Sequence, residues 1–335
     1  MTTIKIPTSD VIIWDKPRIY ADIVVAMTNR VDIVLDFLCE GPDINMLGIY
    51  DFLYSMSEQL NYDLSKIKIT VGNAAETHGI INIEYISPMH LLHNAKDYVI
   101  DIKKQMYLKH FGIFIGRSNA PRLFLASYIN EKYNEKSICT YHFNKNDDFH
   151  RYNVGLDDLI QTYNITDLTS VSAFLQKCPI MLQQTNTVII DKSLSSNPAQ
   201  QLLEADKNVF SLNYRDFFVE IVCETYYSGN TFFTTEKIFR PMLLKTPFIV
   251  QGPTNFLKNL KKLGFRTFDH WWDEGYDQDP TTHQLLEIKK TIDFIATKSI
   301  EELNFMYNEM QAVLEHNYKK VLSLTNRDFE GLNVQ

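Results

Sequence analysis

The sequence predicts an α/β protein made of two Rossmann-like domains. Segments typical of strands and of helices alternate along most of the chain, a pattern that favours parallel sheets joined by crossover helices. The length of 335 residues suits two domains, because a domain usually takes about 100–200 residues. Hydrophobic residues make up 45% of the chain, which is enough to bury a large core.

The first domain is predicted over residues 1–107, with strands at 31–39, 67–71 and 80–86 and a helix at 44–59. Two acidic residues, Glu40 and Glu76, follow the ends of the first two strands. Asp43 is interpreted as the N-cap of the helix.

The second domain is predicted over residues 108–280, and a helical segment follows over 281–335. Its strands are expected at 111–115, 137–142, 187–191, 217–223 and 247–250, and its helices at 122–133, 235–245 and 254–263. Apolar stripes at helical spacing mark residues 282–323, and we expect these last helices to pack back on the first domain.

The charge and the cysteines narrow the class of protein. The formal charge is 33 − 41 = −8, which excludes a generic nucleic-acid coat but allows a local basic groove. The four cysteines are far apart and form no CxxC pair, so neither a zinc site nor a disulfide framework is expected, and a reducing compartment fits.

Residues 1–10 lack the apolar core of a signal peptide, and no run reaches about 18 apolar residues. We therefore expect a cytoplasmic protein without a membrane span.

Residues 217–251 carry the most informative pattern. A buried strand ends at Glu224, a polar loop with Gly229 follows, and Thr235, Glu236 and Lys237 open a helix. Ligands bind beyond the carboxyl ends of strands in open α/β sheets, and helix N-termini present free N–H groups to anions. A lysine in the first helical turn opposes the helix dipole, so it favours an anion such as a diphosphate there. The alternative is a surface lysine neutralised by its neighbouring glutamate.

This run resembles the donor-binding signature of the fucosyltransferase-type GT-B glycosyltransferases, including viral and bacterial members. A strand with an acidic end, here Glu224, leads to a Thr-Glu-Lys helix start and then to a proline-led apolar strand at 247–250. The resemblance implies that Glu236 holds the donor ribose, that Lys237 holds the diphosphate, and that Thr235 caps the helix or touches phosphate. It also implies GT-B architecture, in which two Rossmann-like domains face a cleft.

Residues 114–122 resemble the first strand of that family's second domain, followed by a Ser-Asn loop and a helix opened by an arginine. The resemblance implies that Arg122 contacts the donor phosphates, with Arg117 as the second candidate. Guanidinium groups suit phosphate oxygens because they donate two parallel hydrogen bonds. The match covers about residues 110–275, and residues 224–226 depart from the family's Glu-Asn-Ser, which leaves the sugar and the nucleotide base open.

The expected activity is an inverting, metal-independent sugar transfer from a GDP- or UDP-linked donor, with no cofactor. The first domain would bind the acceptor, and Glu40 or Glu76 would act as the general base, with His78 as a weaker candidate. The acceptor is a glycan, or hydroxymethylated DNA if the chain is from a bacteriophage, and a viral protein would act in the host cytoplasm. The Asp277-Gln278-Asp279 triplet occurs in metal-dependent glycosyltransferases, but Arg122 and Lys237 would already neutralise the diphosphate.

Two other classes of protein are alternatives to a glycosyltransferase. A non-catalytic binding module with the same fold would lack a functioning donor site. A dehydrogenase or a P-loop kinase would need a GxGxxG or GxxxxGK[ST] motif, and neither stands where it would be needed. The paired Trp271 and Trp272 are interpreted either as core residues or as a stacking surface for a sugar.

Overall fold

The computed structural model describes residues 1–6, 16–38, 40–96, 108–142, 152–182, 207–279, 281–329 and 332. The predicted strand at 187–191 and Cys39 lie outside the described residues. Over the described helices, none combines the length and the apolar character needed to cross a membrane.

The first sheet has four parallel strands in the order β1-β2-β3-β4. Its elements in chain order are β1 (Thr2–Lys5), α1 (Lys16–Thr28), β2 (Ile33–Asp36), α2 (Ile49–Leu60), β3 (Ile67–Val71), β4 (Asn82–Tyr85) and α3 (Met89–Lys96). In register, Ile33 pairs with Ile67 and Leu35 with Ile69, and all four side chains are buried. The apolar faces of these strands and of α1 and α2 form the first core.

The second sheet also has four parallel strands, in the order β6-β5-β7-β8. Its elements are β5 (Lys109–Ile115), α4 (Ala120–Tyr133), β6 (Ser137–Tyr141), α5 (Tyr152–Gln161), α6 (Thr169–Lys177), α7 (Lys207–Leu212), β7 (Phe217–Cys223), α8 (Glu236–Leu243), β8 (Phe248–Gln251) and α9 (Phe256–Lys262). Every residue of β7 is buried, as expected for a central strand that helices cover on both faces.

The chain ends in four helices, α10 (Thr281–Ala296), α11 (Ile300–Glu309), α12 (Gln311–Ser323) and α13 (Asn326–Phe329). Most of their apolar residues join the core of the second sheet. Phe329 of α13 also contacts the ring of Tyr85, at the end of the first sheet's edge strand.

The two sheets lie on either side of residue 108, but the core of the second sheet is not confined to its own half of the chain. Ala75 and Leu92, which follow strands of the first sheet, are buried in that second core. The domain boundaries at residues 107 and 280 remain predictions.

Several predicted elements differ from the structure. The helix expected from residue 44 begins at Ile49, after Gly48 in the left-handed conformation. The elements β1, α1, α3, α5, α6 and α7 have no predicted counterpart, because their segments are short or mix polar and apolar residues without a clear period. The bounds of β3 and β7 are as predicted, since β3 alternates apolar and polar residues and β7 is apolar except for Glu220.

Candidate functional site

The residues of the proposed donor signature meet at the carboxyl edge of the second sheet. Glu224 directly follows β7, and Thr235 is the N-cap of α8, where its side chain accepts a hydrogen bond from the Lys237 N–H at 3.2 Å. The Thr235 hydroxyl in turn donates to Glu224 Oε2 at 2.6 Å. The strand end and the helix start are therefore joined by one short hydrogen-bond chain.

Lys237 turns its ammonium group back toward the loop. Its Nζ lies 3.0 Å from Thr225 Oγ1 and 3.1 Å from Glu236 Oε1. Although burial favours the protonated form of Glu236, the neighbouring ammonium holds the pKa of this carboxyl below its usual value. About a third of the Glu236 side chain and a quarter of the Lys237 side chain are exposed, so a ligand can reach both.

Glu224 is fully buried, and burial raises the pKa of its carboxyl. Within the described part of the chain, its Oε1 has no hydrogen-bond partner. The same holds for Thr234 Oγ1 and for both polar side-chain atoms of Gln251, the last residue of β8. Buried polar atoms are rarely left unpaired, so this edge of the sheet has hydrogen-bonding capacity for a polar ligand or for water.

Arg122 is buried on α4, with 3% of its surface exposed. Its guanidinium donates to the Glu224 carbonyl at 2.9 Å, to the Cys223 carbonyl at 3.3 Å and to the Arg117 carbonyl at 3.2 Å. Asn119 caps this helix through its side chain. The arginine thus joins the loop after β5 to the end of β7, while Arg117 itself lies exposed in that loop.

A segment after β7 crosses to the first sheet. We call residues 226–233 the clasp. Its Asn230 N–H donates to Asp43 Oδ2 at 2.7 Å, and its Thr231 hydroxyl donates to the Gly41 carbonyl. A Cβ atom at Gly41 would lie 2.4 Å from the side chain of Phe233, so only glycine fits there. The clasp therefore packs directly on the loop that follows β2.

Asn73, fully buried after β3, holds the clasp from the other side. Its Nδ2 donates to the Asn230 carbonyl at 2.9 Å, and its Oδ1 accepts from the Phe232 N–H at 2.9 Å. The Ala74 N–H donates to the Phe232 carbonyl at 3.0 Å. The carboxyl edges of the two sheets consequently face each other across the clasp.

The two candidate general bases lie beside this contact but have different surroundings. Glu40 Oε2 accepts from the Tyr226 hydroxyl at 3.0 Å, so the clasp orients it. Glu76 accepts from the Tyr50 hydroxyl at 2.7 Å, from the Ile44 N–H at 3.2 Å and from Asn73 Nδ2 at 3.4 Å. Burial raises the pKa of Glu76, and these donors act against that rise.

Two other first-domain residues have structural roles. His78 Nδ1 accepts from the Ile80 and Ile81 N–H groups at 3.1 and 2.9 Å, and Nε2 pairs with the Tyr54 hydroxyl at 2.9 Å. Partial burial lowers the pKa of this imidazole, which suits a neutral ring whose acceptor nitrogen is already occupied. Asp43 is not the N-cap of α2: its Oδ1 accepts from the Met46 N–H at 3.0 Å, and its Oδ2 holds the clasp.

The acidic triplet and the tryptophan pair have structural roles around the second sheet. Asp277 is buried, and its carboxylate accepts from the Leu257 and Lys258 N–H groups at 2.8 and 3.0 Å. It therefore caps the start of α9. Trp272 is buried and stacks on Phe268, which makes it a core residue, whereas Trp271 is half-buried.

Sequence reasoning overlooked His90, on the first turn of α3. This helix packs against α8, and the His90 imidazole lies within electrostatic range of Glu236. Partial burial lowers the pKa of His90, and the Glu236 carboxylate opposes that shift. The available signal was its position just after the fourth strand of the first sheet, where the chain again reaches the carboxyl edge.

The arrangement as a whole is a polar contact region between the carboxyl edges of two parallel sheets. Arg122, Glu224, Glu236, Lys237 and a helix N-terminus lie on the side of the second sheet, and Glu40, Asp43 and Glu76 lie on the side of the first. No family model, curated protein or solved structure compared with the chain matches it.

Proposed function

We propose that the protein is an inverting, metal-independent glycosyltransferase of GT-B architecture with a nucleoside-diphosphate sugar as its donor. The observation that carries the proposal is the cluster of Arg122, Glu224, Thr235, Glu236 and Lys237 around the N-terminus of α8. Scattered surface residues would not share one hydrogen-bond network at the carboxyl edge of a sheet. The resemblance to fucosyltransferase-type enzymes supports the same assignment.

The donor would place its diphosphate at the start of α8, where the free N–H groups and Lys237 favour an anion. On donor binding, Lys237 Nζ would donate to a phosphate oxygen in place of the Thr225 hydroxyl. Glu236 would accept hydrogen bonds from the ribose hydroxyls. Since Lys237, the Arg122 guanidinium beside Glu224 and the helix dipole together offset the diphosphate charge, a divalent cation is not required in this mechanism.

The acceptor would enter from the side of the first sheet. We propose Glu40 as the general base, because the many donors around Glu76 engage its carboxylate in holding the loops. Glu40 takes the proton of the acceptor hydroxyl, whose oxygen forms a bond to the anomeric carbon. The bond from that carbon to the phosphate oxygen breaks, the nucleoside diphosphate leaves, and the anomeric configuration inverts.

The charge of the cleft favours a glycan acceptor over DNA. The carboxylates near the clasp and the start of α8 are those of Glu40, Asp43, Glu76, Glu224 and Glu236. A duplex needs a surface rich in lysine and arginine to replace its counterions. An uncharged sugar acceptor, in contrast, is well served by carboxylates that accept hydrogen bonds from hydroxyls.

A thermal-shift screen with GDP, UDP, ADP and CMP, with and without EDTA, tests the proposal. A nucleotide at 100 times its Kd should stabilise the fold by about 2.7 kcal/mol, which raises Tm by a few degrees. We expect one nucleotide to do so in EDTA, and Lys237→Ala to abolish the shift. The control Lys290→Ala removes an exposed lysine of α10 and should leave the shift intact. No shift with any nucleotide would favour a non-catalytic binding module.

A further inference from the structure

The donor cluster described above belongs to the second domain, but a titratable residue of the first domain reaches it. His90 lies on α3, and α3 packs against α8, the helix whose first residues are Glu236 and Lys237. The imidazole is exposed and within electrostatic range of Glu236. His90 therefore lies on a helix that packs beside the proposed diphosphate site, within the electrostatic influence of its Glu236.

The packing of α3 keeps its first turn beside α8. Leu92 is buried in the core of the second sheet, together with Ile238 and Phe239 of α8, and Met89 packs against the same core. Met89 and Leu92 are three residues apart, so they lie on one face of the helix. His90 is turned about 100° from Met89 and lies off this packed face, where it is exposed.

We infer that His90 supplies a cationic contact to the donor diphosphate from the first domain, so that nucleotide binding takes up a proton. This inference rests on the proposed function. The charged group of α8 that acts on His90 is Glu236, whose carboxylate is itself paired with Lys237. A bound diphosphate adds negative charge beside the imidazole.

The direction in which nucleotide affinity changes with pH follows from these charges. Partial burial keeps the pKa of His90 below its ordinary value in the free protein, against the pull of Glu236, so the ring is mostly neutral at pH 7. A neighbouring diphosphate stabilises the imidazolium and raises its pKa. Nucleotide affinity should therefore increase as the pH falls from 8 to 6.

The test is isothermal titration of the full-length protein with GDP, UDP, ADP and CDP at pH 6 and pH 8, in two buffers of different ionisation enthalpy. The nucleotide's own terminal phosphate titrates near pH 6, and it does so equally with every variant. The comparison between wild type and His90→Gln consequently isolates the imidazole. His283→Gln, an exposed histidine of α10, is the matched control.

We expect wild type to gain at least about threefold more affinity than His90→Gln between pH 8 and pH 6, with proton uptake that the variant lacks. His283→Gln should behave as wild type, and His90→Lys should bind tightly at both pH values. Equal pH dependence in wild type and His90→Gln, with binding intact, would overturn the inference alone. Absence of binding by all four nucleotides would instead remove the proposed function, and the inference with it.

Discussion

Glu40 and Glu76 occupy similar places in the chain, each after a strand of the first sheet, yet their partners differ. Glu76 accepts hydrogen bonds from a tyrosine, a backbone N–H and the amide of Asn73. Glu40 accepts from Tyr226, which belongs to the clasp that follows β7 of the second sheet. The donors around Glu76 hold the loops together, whereas the Tyr226 hydroxyl orients Glu40 from the segment that follows β7, and this orientation is the ground for proposing Glu40 as the base.

Substituting each glutamate by glutamine separates these roles. Glu40→Gln should bind the nucleotide as wild type does but reduce sugar transfer by about 100-fold or more, since an amide cannot accept the proton. Glu76→Gln should retain most of the transfer activity and lose stability. The measurement is nucleoside diphosphate release from the matching sugar nucleotide, with urea unfolding alongside. A loss of transfer confined to Glu76→Gln would reverse the assignment.

Among the larger elements, the clasp determines how the two sheets meet. It is only eight residues long, but it contacts the loops after both β2 and β3. Gly229, in the left-handed conformation with φ of 81°, lets the clasp turn above Asp43. The structure of the clasp depends on partners about 160 to 190 residues away in sequence.

Asn73→Ala should destabilise the fold, because the Phe232 N–H and the Asn230 carbonyl lose a buried partner. Each such group costs about 1–3 kcal/mol, so we expect a loss of about 2–4 kcal/mol in the free energy of unfolding. Urea denaturation measures it. The control Asn82→Ala alters an exposed asparagine of β4 and should change stability by less than about 0.5 kcal/mol. Equal effects of the two substitutions would contradict the role of Asn73.

The sequence predicted what depends on local pattern and missed what depends on distant contacts. The inner strands β3 and β7 follow from an alternating pattern and an apolar run, and the cap at Thr235 follows from capping preferences. The clasp contacts of Asn73 and Asp43 could not be predicted, because an asparagine or aspartate in a loop has the same local pattern whether it faces solvent or another domain. The same holds for His90, since nothing in the sequence around α3 shows that this helix packs against α8.

At the scale of the whole molecule, the proposed sugar transfer requires residues from both sheets. The second sheet would hold the donor at the start of α8, and the first would bring Glu40 and His90 to the same cleft through the clasp and α3. An interface with Leu92 and Ala75 buried in the second core favours a fixed arrangement of the two halves. The binding position of the nucleotide is therefore the central claim.

A crystal structure of the protein with the nucleotide that raises its Tm tests this claim most directly. We expect the diphosphate at the N-terminus of α8, with Lys237 Nζ and the backbone N–H groups of the first turn within hydrogen-bond distance of its oxygens. The ribose should lie against Glu236. A nucleotide bound elsewhere, with Lys237 still paired to Thr225 and Glu236 as in the free protein, would contradict the account.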